Sequence, residues 1–362
     1  MKKVLYVFDD INYPSGAQKV TLFQMEQIKD LFDISVFSLV RPQKELAKLP
    51  YQFIGQKVWD KFELLGCSCV SVLKSKQFSV GQKISRVLYS VKIRLGYGEK
   101  SYDRQLYNLI GTHLEQFNTV VVVSEASKLR RLVAELQHPK KIQWIHTDYA
   151  LWSEFSEWTK AVTEQDGELY KKFDYIVALS EHSKQGLLRK LPALESKVVV
   201  IPNLIDGERI LRMAEETGAT IPDKTKTNLI TVGRLEKEKA LDRVLNICNR
   251  LKKQEKEFCW YIVGAGSLRQ HLEKRIEKEN LQENIKLIGE LTNPYPLMKN
   301  CDCLVLVSDY EGTPVTIDEA GVLGLTVVAK KVGGIEEQIN RSNWRHYKSG
   351  NEESIKKLIE IF

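Results

Sequence analysis

The sequence predicts an α/β protein with two doubly wound domains. Short runs rich in valine and isoleucine alternate along the chain with longer stretches of helical periodicity, which is the pattern of parallel sheets covered by helices on both faces. A polar stretch at 207–227, which follows Asn203, interrupts this alternation once. We therefore expect a first domain at 1–206, a linker at 207–227 and a second domain at 228–362.

The individual elements are predicted from the period of the apolar residues, because short continuous runs favour buried strands and a spacing of three or four residues favours helices. Strands of the first domain are expected at 4–8, 34–39, 119–123, 142–146, 175–179 and 198–201. Strands of the second domain are expected at 229–232, 258–263, 285–288, 303–307 and 326–329. Helices are expected at 17–30, 102–116, 240–252, 268–280, 314–324 and 335–340.

The composition excludes several classes of protein. The 362 residues are 43% hydrophobic and 28% charged, which is typical of a globular chain rather than of a disordered or fibrous one. The chain has no uncharged apolar run of about eighteen residues, so no spanning helix is expected. The N-terminal segment lacks the long apolar core of a secretory signal. The six cysteines lack the spacing of a zinc site, and we expect them to be reduced.

The positive charge of the chain is concentrated in one segment. The formal net charge is +7, and residues 57–100 alone hold nine lysines and arginines against three acidic residues. A nucleic-acid-binding domain would usually spread such charge over a whole face, so no nucleic acid partner is expected. From Lys83 onwards the apolar residues recur at helical spacing, at 84, 87, 88, 91 and 95. This pattern fits a helix on an anionic membrane surface, or a helix whose apolar face packs on the core.

A motif after the predicted strand 303–307 has the residues of a ligand site. Glu311 and Gly312 precede Thr313 and Pro314, which are expected at the N-cap and the first position of a helix, and Glu319 follows in its second turn. The free N–H groups of a helix start bind phosphate or hydroxyl oxygens, and glycine lets a ligand approach the backbone. The motif therefore predicts two carboxylates that meet one ligand, although a loop glutamate and a solvated helical glutamate explain the same spacing.

Two cations follow the strand that opens the second domain. Arg234 comes two residues after the predicted strand 229–232, and Lys239 stands five residues later at the start of a helix. Both would lie at the carboxyl edge of the sheet, where doubly wound domains bind ligands. A diphosphate is a suitable ligand because Arg binds phosphate in a bidentate manner. The alternative is a solvated helix start rich in Lys and Glu.

These motifs together resemble the retaining glycosyltransferases of glycosyltransferase family 4, which have the GT-B fold of two Rossmann-like domains facing each other across a cleft. The resemblance covers the second domain and is weaker in the first. In the second domain it depends on V-G-R-L at 232–235 with Lys239, V-G-A-G at 263–266, I-G-E-L at 288–291, E-G-T-P-V-T-I-D-E at 311–319 and V-G-G-I-E-E at 332–337. In the first domain it depends on Ser15-Gly16, Ile145-His146 and I-P-N-L-I-D at 201–206.

The resemblance implies a role for each matching residue. Arg234 and Lys239 would hold the donor diphosphate, and Glu319 would bond to the ribose. Glu311 would lie near the transferred sugar, and His146 would contact that sugar near the reacting carbon, so these two are the implied catalytic residues. The other implied donor-binding positions are Gly16, Gly289, Leu291, Gly312, Thr313, Pro314 and Val315.

The function implied by the resemblance is retaining transfer of a sugar from a nucleoside diphosphate donor, expected to be a UDP-sugar, to a cell-surface glycan or a lipid-linked acceptor. No cofactor is implied, and the transfer is expected to be independent of metal. The expected location is the cytoplasm, with a peripheral contact at the inner face of the cell membrane through 57–100. Two alternatives stay open: a non-catalytic partner subunit that keeps the fold, and a nucleotide-sugar epimerase of the same fold.

The chain departs from the family pattern at two glycine positions. Ser15 stands where the first of two loop glycines is usual, and Ala240 stands where glycine commonly follows the lysine.

The sequence after the predicted strand 258–263 argues against NAD as a ligand. Arg269 occupies the place where the dinucleotide fingerprint that starts at Gly264 needs a small residue, so NAD is not expected to bind.

Overall fold

Two sheets built from parallel strands form the framework of the protein and confirm the predicted α/β class. The computed structural model describes residues 1–12, 15–56, 58–59, 73, 79–94, 104, 106–216, 222–341 and 347–350. The fold, the site and all contacts below concern this part of the chain. Most of the basic segment 57–100 lies outside the described residues, apart from a helix at Val80–Arg94.

The first sheet has seven strands within the described residues, in the order β3-β2-β1-β4-β5-β6-β7. Every strand pair from β3 to β6 is parallel. The order runs outwards from β1 in one direction to β3 and from β4 in the other direction to β7, so it reverses between β1 and β4. The strands are β1 Lys2–Phe8, β2 Phe32–Ser38, β3 Gln52–Ile54, β4 Thr119–Val122, β5 Lys140–Ile145, β6 Tyr175–Ala178 and β7 Val198–Val200.

The second sheet has six described strands, in the order β10-β9-β8-β11-β12-β13, and its strand pairs are parallel. Its order reverses between β8 and β11 in the same way. The strands are β8 Thr227–Val232, β9 Phe258–Val263, β10 Ile285–Gly289, β11 Cys303–Leu306, β12 Thr326–Lys330 and β13 Tyr347–Gly350.

Helices connect most of these strands, as expected for doubly wound sheets. In the described residues of the first half they are α1 Gly16–Ile28, α2 Val80–Arg94, α3 Thr112–Leu114 after a π-helical turn at Tyr107–Gly111, α4 Leu129–Ala134, α5 Tyr149–Trp152, α6 Glu157–Thr163, α7 Asp166–Tyr170 and α8 Glu181–Lys190. In the second half they are α9 Gly207–Ala214, α10 Asp242–Lys253, α11 Arg269–Lys278, α12 Tyr295–Lys299, α13 Val315–Val322 and α14 Ile335–Arg341. Short 3-10 turns cover Leu46–Lys48, Pro192–Lys197 and Lys237–Lys239.

Strand β9, which lies between β10 and β8, shows why a continuous apolar run indicates a buried parallel strand. All six of its residues are buried, because helices cover both faces of the sheet. Alternate side chains enter two different cores: Phe258, Trp260 and Ile262 join the cluster on one face, and their neighbours Cys259, Tyr261 and Val263 join the cluster on the other. A strand with one solvated face would have shown polar residues at every second position.

The sequence pattern missed two edge strands, β3 and β13. They have three and four residues, and neither is a continuous apolar run, since β3 begins with Gln52 and β13 reads Tyr-Lys-Ser-Gly. The described cysteines Cys248, Cys259, Cys301 and Cys303 are free and buried, as predicted. None of the described helices is both long and apolar enough to cross a bilayer.

The chain divides into two compact units that do not follow the chain order strictly. The first unit comprises Met1–His146, Glu157–Ala178 and Leu191–Val199, and the second comprises Thr147–Ser156, Leu179–Lys190 and Val200–Phe362. Helices α5 and α8 therefore group with the second unit, although each follows a strand of the first sheet. The predicted domain boundaries at 206 and 228 describe the order of the two sheets along the chain, and they stay predictions.

Candidate active site

The second unit has a topological switch point between β8 and β11. These strands are neighbours, with Leu229 opposite Cys303 and Ile230 opposite Leu304, and the connections after them leave in opposite directions across the sheet. A crevice for ligands forms at such a point, beyond the carboxyl ends of the strands. The loops that flank it carry the two predicted motifs, the one with Arg234 and Lys239 after β8 and the one with Glu311 after β11.

The central contact of the site joins these two loops. Lys239 Nζ lies 2.5 Å from Glu311 Oε1, and the side chains of both residues are largely shielded from solvent. Ser308 donates a hydrogen bond of 2.6 Å from its hydroxyl to the same carboxylate oxygen. One oxygen of Glu311 therefore has a charged and a neutral donor, which together fix the direction of the carboxylate.

A second ion pair orients the other predicted cation. Arg234 Nη2 donates to Glu238 Oε1 at 2.7 Å, four residues further on. The Arg234 side chain remains 55% exposed, whereas that of Glu238 is nearly buried. The backbone oxygen of Glu238 also accepts a hydrogen bond from the N–H of Asp309, so the turn with Arg234 is tied to the loop after β11. The guanidinium is thus held from one side while it stays accessible to solvent.

Glycines allow the loops after β8 and β9 to pack without side chains between them. Gly264 has a φ of +145°, and a Cβ there would lie 1.9 Å from the carbonyl oxygen of Gly233. A Cβ on Gly266 would lie 2.5 Å from the carbonyl oxygen of Leu235. The V-G-A-G motif is therefore explained by close backbone packing beside Arg234, and no dinucleotide site is needed to account for it.

A similar glycine contact supports the loop that carries Glu311. Gly333 has a φ of +56°, and a Cβ there would lie 1.7 Å from the carbonyl oxygen of Glu311. The N–H of Gly334 donates to the carbonyl of Gly312 at 2.8 Å. The V-G-G-I-E-E motif thus lies against the E-G-T-P loop, and together the two motifs hold the backbone of Glu311 in place.

The start of α13 differs by one residue from the prediction. Pro314 is the N-cap, with extended backbone, and the helix begins at Val315, so Pro314 does not occupy the first helical position. The Thr313 hydroxyl does not cap the helix. It accepts a hydrogen bond of 3.1 Å from the amide of Asn203, which also donates to the Thr313 carbonyl at 3.0 Å. The Asn203 amide thus binds the Thr313 hydroxyl, which the sequence pattern had predicted to cap the helix.

The second carboxylate of the motif is buried and already has a hydroxyl partner. Glu319 lies in the second turn of α13, as predicted, and Tyr295 at the start of α12 donates to Glu319 Oε1 at 2.8 Å. Burial, followed by the charge and the hydrogen bond of Glu319, raises the pKa of Tyr295 far above its usual value, so its hydroxyl stays a donor at neutral pH. The alternative of a solvated helical glutamate is therefore excluded for Glu319.

Two of the implied donor-binding positions, Gly289 and Leu291, lie at the carboxyl end of β10. Gly289 ends that strand with a φ of +87°, and its carbonyl accepts a hydrogen bond of 2.8 Å from the N–H of Gly264. Leu291 is half-buried and packs against the core cluster on one face of the sheet. Gly289 is thereby connected through Gly264 to the backbone beside Arg234.

In the first unit, Gly16, an implied donor-binding position, lies at a helix start. Gly16 is the first residue of α1 and is exposed, and Ser15 is the N-cap whose hydroxyl accepts from the N–H of Gln18 at 3.1 Å. Serine at 15 is thus accounted for by capping, because its side-chain oxygen binds a donor that glycine would leave to solvent.

His146 follows β5 in the first unit and lies beside the buried carboxylate of Glu125. Its backbone N–H donates to Glu125 Oε2 at 3.2 Å, and its ring stacks on that of Trp144. Burial lowers the pKa of His146 below its usual value, while the charge of Glu125 and a hydrogen bond to the backbone of Val123 act in the opposite direction. The ring atom Nε2 is buried and has no hydrogen-bond partner among the described residues.

Several of the predicted site residues have partners that the sequence analysis did not name. The structure brings Lys239 to Glu311 and gives Arg234 and Glu319 a partner each. Gly16 and His146 lie in the first unit, Gly16 at the start of α1 and His146 directly after β5. Sequence reasoning missed Ser308, Glu238, Tyr295, Asn203 and Glu125. A usable signal existed for Ser308 and Glu125, since each is a polar residue just after an apolar run that ends at a switch point.

Metal ligands were not found in the part of the chain that the structure describes. No group of three or more His, Cys, Asp or Glu side chains there has the arrangement of a metal site. The expectation of transfer without metal stays a prediction.

Comparison with known proteins agrees with the geometry of the second unit. Residues 214–362 match the family model of group 1 glycosyl transferases, which confirms the prediction of a glycosyltransferase domain for that part of the chain. An uncharacterised glycosyltransferase of Methanocaldococcus jannaschii is 24% identical over 61% of this chain and 55% of its own length. A second relative is 31% identical over 44% of this chain and 42% of its own. It is the N-acetylgalactosamine-N,N'-diacetylbacillosaminyl-diphospho-undecaprenol 4-alpha-N-acetylgalactosaminyltransferase of Campylobacter jejuni.

A solved structure with the same fold extends the likeness to both units. HepE from Anabaena, in complex with UDP and glucose, superposes with a TM-score of 0.68 at 16% identity, covering 100% of this chain and 89% of that one. The fold is therefore that of a GT-B glycosyltransferase. The chain spans about half the length of the curated relatives that it matches.

Proposed function

We propose that the protein is a retaining glycosyltransferase that moves a sugar from a nucleoside diphosphate donor, UDP-linked, to a glycan or lipid-linked acceptor. The observation that carries the proposal is the pair of cations at the switch point of the second sheet, each held by a carboxylate: Lys239 by Glu311 and Arg234 by Glu238. Paired and partly exposed cations suit a ligand that arrives with its own negative charge.

The leaving group explains why two cations are needed. When the bond between sugar and phosphate breaks, negative charge develops on the diphosphate, and fixed positive charge stabilises it more than it stabilises the intact donor. Arg234 offers the planar fork of guanidinium donors, and Lys239 offers a point charge. We assign both to the diphosphate.

The two glutamates of the motif have different contacts, and we assign them to different parts of the donor. Glu311 accepts hydrogen bonds from Ser308 and Lys239 and is oriented near the cations, so we assign it to the hydroxyls of the transferred sugar. Glu319 lies in the second turn of α13, where Tyr295 donates to one of its oxygens, and we assign it to the ribose. These assignments follow the resemblance to family 4.

Retention at the reacting carbon follows in this proposal from the use of one face of the sugar. The acceptor hydroxyl attacks from the side of the departing diphosphate and passes its proton to a phosphate oxygen, so no protein base is required. We assign His146 to the transferred sugar, where a neutral imidazole accepts a hydroxyl hydrogen bond. The lowered pKa of His146 supports the neutral form at pH 7.

The acceptor is assigned by class only. The Campylobacter jejuni relative is named for transfer to a sugar on diphospho-undecaprenol, and that name supports a lipid-linked glycan acceptor here. A peripheral position at the inner face of the cell membrane would bring the enzyme to such an acceptor. Synthesis of a surface polysaccharide, such as a capsule or exopolysaccharide, is the pathway that fits this acceptor class.

Calorimetric titration with UDP tests the donor site directly. We expect UDP to bind in the presence of EDTA and Lys239→Met to weaken binding by about tenfold, because a charge-assisted hydrogen bond is worth about 1.5 kcal/mol. The matched control is Lys237→Met, since Lys237 is exposed and its ammonium lies over the ring of Phe155 rather than at Glu311. Unchanged binding by Lys239→Met, or an equal loss in the control, contradicts the assignment.

A donor screen separates the enzyme from the two alternatives. We expect one UDP-sugar to be hydrolysed slowly to UDP and free sugar when no acceptor is present. Binding of UDP without hydrolysis or transfer of any donor would favour a non-catalytic partner subunit. Conversion of the donor sugar to an isomer would favour an epimerase.

A further inference from the structure

The basic segment 57–100 contains one described helix, α2, and five of its apolar side chains are exposed to solvent. The helix spans Val80–Arg94, which confirms the helical period read from the sequence. The exposed fractions are 74% for Val80, 56% for Ile84, 37% for Val87, 57% for Leu88 and 47% for Val91. These values contradict the alternative in which the apolar face of the helix packs on the protein.

The five exposed residues form one continuous stripe. At the helical rotation of about 100° per residue, positions 80, 84, 87, 88 and 91 fall within a sector about 100° wide. A stripe of this width is what a surface helix normally directs into a core. On a monomeric globular protein, a contiguous exposed apolar patch marks an interaction surface.

The charges of α2 identify the chemistry of the partner. The helix has four basic residues, Lys83, Arg86, Lys92 and Arg94, and no acidic residue. By helical position, 83 and 94 border one edge of the apolar stripe and 92 borders the other. Cations on both borders of an apolar stripe are the arrangement of helices that lie in a membrane interface, where long basic side chains reach the anionic headgroups.

We propose that α2 is a membrane-binding surface whose apolar stripe enters the interface of an anionic bilayer. A second copy of the chain is a poorer partner, because an isologous contact would bring two helices of the same high positive charge together. A nucleic acid would meet the basic positions but leave the apolar stripe in water. The anionic lipid surface matches both features at once, and the proposal does not depend on the transfer reaction.

Co-sedimentation with vesicles tests the proposal on the full chain. We expect binding to phosphatidylcholine vesicles that contain phosphatidylglycerol and much weaker binding to phosphatidylcholine alone. The double variant Ile84→Ser with Leu88→Ser should abolish sedimentation, and Lys83→Gln should weaken it by about fivefold, the effect of one basic residue near an anionic surface. High salt should weaken binding of the unaltered protein.

The control keeps the test specific to α2. Leu31 lies in the first unit outside this helix and is 67% exposed, so Leu31→Ser removes a comparable apolar side chain and should leave vesicle binding unchanged. Thermal unfolding of all variants should match that of the unaltered protein, because every altered side chain is exposed or half-buried. Equal binding to both vesicle types, an equal loss in Leu31→Ser, or full binding by the double variant would overturn the proposal. Size-exclusion chromatography that shows a dimer lost in the double variant would identify a second copy as the partner instead.

Discussion

The ammonium of Lys239 and the carboxylate of Glu311 meet at 2.5 Å across the switch point of the second sheet, although 72 residues separate them in the chain. A diphosphate that binds at Lys239 competes with Glu311 for the same ammonium. The neutral donor Ser308 holds the same oxygen of Glu311, so the carboxylate keeps one fixed partner if Lys239 turns to phosphate.

Glu311→Gln is expected to separate donor binding from transfer. The glutamine keeps the size of the side chain but removes its charge, so transfer should fall by about a hundredfold, as for the loss of one group that acts on the transition state. Affinity for UDP should stay the same or rise, because Lys239 loses a competing anion. Initial-rate kinetics and UDP calorimetry on the same preparation check this, and full transfer activity would remove Glu311 from the reaction.

Ser308→Ala should disturb the direction of Glu311 without removing its charge. The alanine leaves Oε1 with Lys239 alone, and occupation of Lys239 by phosphate then frees the carboxylate. We expect the advantage of a UDP-sugar over UDP in binding to shrink by about fivefold, as for the loss of one hydrogen bond of about 1 kcal/mol, while the affinity for UDP itself is unchanged. A uniform loss for both ligands would indicate a purely structural role of Ser308.

Arg234→Lys tests whether the guanidinium binds the diphosphate through its planar donors. A lysine keeps the charge but cannot serve Glu238 and two phosphate oxygens with a rigid fork, so UDP affinity should fall by about tenfold while uridine affinity is unchanged. The matched control is Arg212→Lys, because Arg212 also pairs with a glutamate at four-residue spacing, Glu208, on the exposed surface of α9. Equal effects of the two substitutions on UDP binding would refute the assignment.

Sequence reasoning succeeded where one property repeats along a short stretch. Both ends of strand β9 are predicted correctly, because all six of its residues are buried and apolar. Glu311 is predicted because Gly312 and Pro314 follow it in a recognisable motif. It failed where a partner comes from far along the chain. The amide of Asn203, 110 residues away, takes the Thr313 hydroxyl and shifts the helix start. The ion pair of Lys239 with Glu311 likewise depends on the order of β8 and β11 in the sheet, which local periodicity does not contain.

The backbone conformation of Ala240 explains why the family commonly has glycine at this position, and it predicts a stabilising substitution. The residue has a φ of +49° and a ψ of +41°, a left-handed conformation that costs an L-residue with a Cβ about 1–2 kcal/mol. Glycine avoids that cost but loses more entropy on folding, so Ala240→Gly should stabilise the second unit by about 1 kcal/mol. Urea unfolding checks the sign. Gly324→Ala, at a φ of +75° with open space around it, should destabilise by a similar amount.

The buried imidazole of His146 predicts how the stability of the first unit depends on pH. Its pKa is lowered in the folded state, chiefly by burial, so the unfolded chain binds a proton near pH 6.5 that the folded chain does not. The contribution of neutral His146 is therefore fully present above about pH 6.5 and is lost as the pH falls towards the folded pKa, at no more than about 1.4 kcal/mol per pH unit. Because Glu125 faces His146 and opposes this shift, the loss is expected to be partial.

His146→Gln cannot take up the proton, so its unfolding free energy should fall less than that of the unaltered protein between about pH 7.5 and pH 5.5. The exposed His138 serves as the control, since His138→Gln should follow the unaltered protein. Parallel pH profiles for the unaltered protein and His146→Gln would contradict a histidine that is buried in its neutral form.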